Sequence, residues 1–233
     1  MIGKIIGIRT VRTSSSYEPQ MITDSTKRIA EPTITNQSPN TGGCVYLLID
    51  CSASMAGDKI CQAREGTLEF ARKAMKDGLA VGVIGFGSSA TQICGPGSAL
   101  DGLKPCLDRL DASGSTNLAA AISLAHKNLE DFGRKKVIVV ATDGRPDSSH
   151  SALQAARTAK DDEIDIITIG TDDADLAFLQ KLASSAEMGN KVAQRQFREA
   201  IASAFLLLPA VTGAFSDNST GPRPARHLQY CQF

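Results

Sequence analysis

Apolar positions along this chain alternate between short continuous runs and stripes at steps of three and four. The runs are Cys44 to Ile49, Leu79 to Phe86, Val137 to Ala141 and, with Asp165 and Thr168 inside it, Ile164 to Gly170. A run without polar alternation reads as a strand buried on both faces, as central parallel strands are. The stripes are Ile60, Ala63, Thr67, Phe70 and Ala74; Leu118, Ile122, Ala125 and Leu129; Ala152, Ala155, Ala156 and Ala159; and Phe197, Ile201, Phe205 and Leu208. Each predicts a helix with one packed face. Strands alternating with helices imply an α/β domain, a parallel sheet covered on both faces with right-handed crossovers.

Weaker signals fill in the edges. Thr91 to Cys94 reads as an edge strand, and the tight return through Ser88-Ser89 predicts that it pairs antiparallel with the strand before it. A second edge strand is expected around Lys191 to Ala193, and a helix over residues 174–185. Leu100 to Leu110 is a short helix interrupted by Pro105, its first half read as a turn. Gly66 within a helical stripe signals close packing on the sheet or a local break, and Gly82 and Gly85 signal close approach by a helix. Residues 1–41 and 210–233 read as an irregular extension and tail around a domain spanning 42–209. Within the extension, Ile5, Ile6, Ile8 and Val11 are candidates to add a short strand or to pack on the domain.

Composition narrows the function classes. With 233 residues the chain suits one α/β domain. Its 25 basic and 25 acidic residues cancel, which argues against binding nucleic acid through bulk charge. No stretch reaches the roughly 18 apolar residues of a membrane span, and the first residues are too short an apolar run for a signal peptide. Cys231 stands one residue too late for a prenylation box. A cytoplasmic protein is expected, and six free thiols with it, since Cys44, Cys51 and Cys61 fall in or beside strand and helix patterns with no Cys-x-x-Cys pair.

The candidate chemistry begins at Asp50-Cys51-Ser52-Ala53-Ser54, directly after the first run. In open α/β sheets ligands bind at the carboxyl ends of strands. This one presents a carboxylate and two hydroxyls at alternate positions, oxygen donors suited to a hard cation such as Mg2+. Asp and Ser also crowd turns for local hydrogen-bonding reasons, so the stretch alone is weak. Two further stretches strengthen it: Gly114-Ser115-Thr116-Asn117, opening a helix, and the strand that ends in Thr142-Asp143-Gly144. Asn117 or Thr116 could equally cap that helix.

Taken in order, these three stretches resemble the von Willebrand factor A domain with its metal-ion-dependent adhesion site, over residues 42 to 209. The resemblance implies a doubly wound, Rossmann-like three-layer sandwich with strand order 3-2-1-4-5-6 and strand three antiparallel. It also implies Mg2+ or Mn2+ held by Asp50, Ser52, Ser54, Thr116 and Asp143, with an Asp or Glu of a partner protein completing the shell and no catalysis. Soluble members of this kind suggest a stand-alone intracellular module in a stress or metal-resistance system.

The rival is a phosphohydrolase of haloacid-dehalogenase type using Asp50. That chemistry needs a carboxylate where Ser52 stands, and it leaves Ser54 and Thr116 without a role. Asp172, Asp173 and Asp175 read as acids favoured by a helix dipole. His126, His150 and His227 read as solvated, and Gly85-Phe86-Gly87 lacks the third glycine of a dinucleotide site.

Overall fold

The computed structural model describes residues 42–132 and 135–208. The expectations for the extension, the tail, Cys231 and His227 lie outside them. The elements are β1 (Cys44–Asp50), α1 (Asp58–Lys76), β2 (Ala80–Phe86), β3 (Ala90–Cys94), α2 (Leu100–Leu107), α3 (Leu118–Leu129), β4 (Lys136–Thr142), α4 (Ser149–Asp161), β5 (Ile164–Gly170), α5 (Leu176–Leu182), β6 (Gly189–Lys191) and α6 (Phe197–Ser203).

One six-stranded sheet runs in the order β3-β2-β1-β4-β5-β6. Only β3 is antiparallel, as its tight return from β2 predicts. Side chains alternate across each strand. Val45, Leu47 and Ile49 therefore join one core cluster under α1, α2 and α6, while Cys44, Tyr46 and Leu48 join the other under α3 and α4. Every residue of β1 and β2 is buried, which is why their sequences show no polar alternation. From β1 the chain crosses to β2 on one side, and β4 later inserts on the other. Loops at the carboxyl ends of β1 and β4 diverge there and leave a crevice between them, the switch point at which open sheets bind ligands.

Several local expectations are corrected. Gly66 is the contact point of α1 with α6, not with the sheet: a Cβ there would lie 2.7 Å from the Arg198 carbonyl oxygen. Gly82 makes room for the Tyr46 ring of the adjacent strand, and Gly85 for Leu110, which follows α2. α2 runs unbroken through Pro105, because Leu103 and Leu107 anchor it in the core and the carbonyl that loses its donor belongs to exposed Asp101. α5 is shorter than expected, ending as Ala183 turns extended. β6 begins earlier, at Gly189, whose missing side chain admits the Gln180 backbone of α5. The final stripe starts as α6 and tightens into a 3-10 turn over Ala204–Leu207.

Candidate metal centre

Asp50 ends β1 completely buried. The next residues are shaped by that carboxylate and by the neighbouring strand. The Cys51 amide still donates to the Phe86 carbonyl at 2.6 Å, prolonging the β1–β2 ladder by one bond. The Ser52 amide then donates back to Asp50 Oδ1 at 2.8 Å, the self-turn that Asp favours. A 3-10 turn over Ala53–Met55 follows, pinned by the buried Met55. It sets the Ser52 and Ser54 hydroxyls 3.0 Å apart.

β4 supplies the other half. Its last residue, Thr142, donates its hydroxyl to Asp50 Oδ2 at 2.5 Å, and the next, Asp143, accepts from the Ser54 hydroxyl at 2.8 Å through Oδ1. Asp50, Ser52, Ser54 and Asp143 thus stand in one hydrogen-bonded cluster across the β1–β4 seam. Burial raises the Asp50 pKa above the usual carboxylate range; hydrogen bonds from Thr142 and Ser52 offset part of this, and repulsion from Asp143 adds to it. A buried anion whose own partners are neutral, with a second carboxylate close by, is an arrangement that a cation would stabilise.

Thr116 reaches the same rim through its backbone, not through a side-chain bond to the four. Ala53 donates to the Gly114 carbonyl at 3.1 Å, Ser113 to that of Cys51 at 2.6 Å and Asn117 to that of Gly87 at 2.8 Å. Gly114 has φ +78°, and a Cβ there would fall 2.4 Å from the Ser88 hydroxyl, so glycine is required. Asp147 clamps the loop, accepting from the Thr116 amide at 2.9 Å and the Ser115 hydroxyl at 2.7 Å. These bonds, led by the Thr116 amide, hold the Asp147 pKa below its ordinary value. The α3 cap is Asn117, which accepts from the Ala120 amide. The buried Thr116 is thereby relieved of the capping role that the sequence left open between the two.

The donor set suits a hard cation: two carboxylates, three hydroxyls and no soft ligand. Burial, with the Asp50 charge beside it, raises the Cys51 pKa to about 11, so this thiol at the rim stays protonated at neutral pH. Among the described residues no three His, Cys, Asp or Glu side chains cluster as a metal site. The five described cysteines are unpaired. His126 meets Asp162 at the surface at 2.6 Å, and His150 is exposed.

Three residues at the rim escape the sequence reading, Lys59, Thr142 and Asp147, and a fourth, Asp172, is read there only as a helix-dipole acid. Lys59 donates to Asp143 Oδ2 at 2.5 Å and pairs with Asp172 at 2.9 Å. Asp172 is therefore an ion-pair partner at φ +47°, whereas Asp175 fills the role expected of the acids, capping α5. One signal was available: Lys59 lies in the first turn of a helix, where the macrodipole disfavours a cation.

Residues 45–204 match the von Willebrand factor type A domain. The chain belongs to that family. A UPF0353 protein of Mycobacterium ulcerans is 29% identical over 164 residues, covering 62% of this chain and 49% of its own length. The chain thus spans about half the length of the curated relatives it matches. Among solved structures, proximal thread matrix protein 1 from the mussel byssus, with a zinc-occupied MIDAS motif, superposes with a TM-score of 0.59 at 19% identity, over 70% of this chain and 46% of that one. Manganese-loaded TRAP of Plasmodium vivax does so at 0.58 and 19%, over 70% and 72%. These likenesses establish the Rossmann-like fold of the A domain, with the strand order and antiparallel β3 that the resemblance implied. Such domains are generally interaction modules rather than enzymes. Among the described residues no helix is long and apolar enough to cross a membrane.

Proposed function

We propose that this A domain is a metal-dependent protein-binding module, holding Mg2+ or Mn2+ at Asp50, Ser52, Ser54, Thr116 and Asp143 and through it an Asp or Glu of a partner protein. The observation that carries the reading is the meeting of a buried Asp50 with Ser52, Ser54 and Asp143 across the β1–β4 seam. Two carboxylates balance a divalent charge, and hydroxyl oxygens are weak donors, so the bound ion supplies an electrophilic centre that attracts a third carboxylate. Mg2+ takes about six oxygens and dehydrates reluctantly, so it suits a site with few protein anions. Zinc in the mussel protein and manganese in TRAP support the choice of a divalent ion. On this reading the domain acts without catalysis, in the cytoplasm, within a stress or metal-resistance system.

The phosphohydrolase alternative finds little support at Asp50. Both of its oxygens already accept hydrogen bonds, from Ser52 and Thr142, and the general acid and base would have to be Ser52. A pull-down with and without EDTA, comparing wild type with Asp143→Ala, tests the proposal. Partner capture should vanish in EDTA and in the variant. Equal capture under all conditions overturns it, as does Mg2+-dependent phosphate-ester turnover that Asp50→Ala abolishes.

A further inference from the structure

Lys59 carries its charge at the unfavourable end of a helix. It lies in the first turn of α1, where free amides already present partial positive charge. Two carboxylates offset this: Asp143 from the end of β4, at 2.5 Å, and Asp172 from the loop after β5, at 2.9 Å. The Lys59 side chain is only 17% exposed. Asp172 takes a left-handed backbone conformation, φ +47°, that few residues other than Gly, Asn and Asp adopt readily. The β5–α5 loop is therefore bent at the residue that receives the ammonium. Arg145 and Asp173 border the same cleft, and Arg145 makes no ion pair with either carboxylate.

Asp143 is thereby shared. Its Oδ1 accepts from Ser54 and its Oδ2 from Lys59, so a divalent ion drawn to this carboxylate meets a tethered cation already on it. Two like charges cannot both use Asp143 at full strength. We infer that Lys59 is the residue that sets metal affinity: its ammonium competes with the ion for Asp143, and Asp172 is the second seat to which it shifts when the ion binds. The inference rests on the metal reading proposed above and deepens it. With Lys59 on Asp143, the protein offers the ion little more than one unshared carboxylate, Asp50. The partner's carboxylate restores the missing charge. Ion and partner consequently bind together far better than either does alone.

The test is calorimetric titration of the full chain with Mn2+ alone, for wild type, Lys59→Met, Asp172→Asn, the double variant and Arg145→Met. Lys59→Met should bind Mn2+ about tenfold or more tightly than wild type, the direction in which removal of a competing charge acts. Asp172→Asn removes the second seat and should weaken binding severalfold in the wild-type background, yet leave affinity unchanged in the Lys59→Met background. Arg145→Met should stay close to wild type. Equal or weaker binding by Lys59→Met overturns the inference while wild-type binding still upholds the metal site. An Asp172→Asn effect that persists without Lys59, or an Arg145→Met effect as large as that of Lys59→Met, also overturns it, since both describe a diffuse field and not competition for one carboxylate. If no form of the chain binds Mn2+, the metal reading falls and takes the lysine's role with it.

Discussion

Asp50 and Asp143 face one cluster from adjacent strands, both almost fully buried, yet their surroundings are opposite. Asp50 is held by a hydroxyl and an amide, neutral donors that leave its charge uncompensated. Asp143 is held by a hydroxyl and an ammonium. The first carboxylate carries a desolvation cost that its hydrogen bonds from Thr142 and Ser52 offset only in part, whereas the second has its counter-charge supplied by α1. On the metal reading proposed above, two residues of one chemical type on adjacent strands divide the work: one attracts the ion and the other regulates how firmly it is held. The difference lies in what reaches each acid: Lys59 in the first turn of α1 meets Asp143 at the end of β4 and Asp172 after β5, whereas Asp50 meets the Ser52 amide of its own turn and the Thr142 hydroxyl of β4.

The strongest way to break the comparison is to neutralise each acid in turn. At saturating Mn2+, a site filled at 100 times its dissociation constant stabilises the fold by about 2.7 kcal/mol. For a domain of this size that corresponds to a rise of roughly 5–10 °C in melting temperature. Both Asp50→Asn and Asp143→Asn should lose this rise, as thermal unfolding with and without Mn2+ will show. If one of them keeps it in full, the two acids are not joint ligands.

A smaller effect separates them in EDTA. The folded-state pKa of Asp50 is raised, so between its ordinary value and the raised one the folded chain binds more protons than the unfolded chain. The stability contribution is present below the ordinary value and is lost as pH rises through the raised pKa. Asp50→Asn removes that slope and should match or exceed wild-type stability near neutral pH, since Asn keeps the acceptor for the Ser52 amide without the buried charge. Asp143→Asn instead leaves Lys59 with Asp172 alone and should be neutral or mildly destabilising. Urea denaturation across the pH range measures both, and identical profiles for the two variants would remove the asymmetry.

How much of this was legible in the sequence follows from chain distance. β1 and β2 are legible because full burial writes itself into a continuous apolar run, and Asp50, Ser52 and Ser54 because a single turn brings them together. Thr116 and Asp143 became visible through the family pattern. Lys59, Thr142 and Asp147 meet their partners 84, 92 and 31 residues away, contacts that periodicity does not encode. Gly66 signals either close packing on the sheet or a local break; α1 is unbroken there and the near neighbour is α6, since a missing Cβ says that something is near and not what it is. Pro105 reads in the sequence as an interruption, yet core anchoring at Leu103 and Leu107 overrides one lost hydrogen bond at the surface.

The smallest expected effect concerns the remaining hydroxyl, and it sharpens the comparison by asking whether a proposed ligand positioned through its own backbone matters. Thr116 is positioned by its own amide on Asp147 and by the carbonyl of Gly114 on Ala53, while its hydroxyl makes no side-chain bond to Asp50 or Asp143. If Asp147 acts as the clamp, Asp147→Ala should loosen the loop and weaken Mn2+ binding by roughly three- to tenfold, in line with the loss of one or two charge-assisted hydrogen bonds at an exposed position. Asp147→Asn keeps an acceptor for the Thr116 amide and should fall between Ala and wild type. Fold stability should change little in either, because Asp147 is exposed and the loop keeps its bonds to Cys51, Ala53 and Gly87. Calorimetric Mn2+ affinity beside urea denaturation separates the two quantities. Unchanged affinity in Asp147→Ala would mean that the tight backbone bonds around Gly114 place Thr116 by themselves; a large loss of stability would mean that Asp147 holds the α3–β4 side of the domain together and acts on the metal only through the fold.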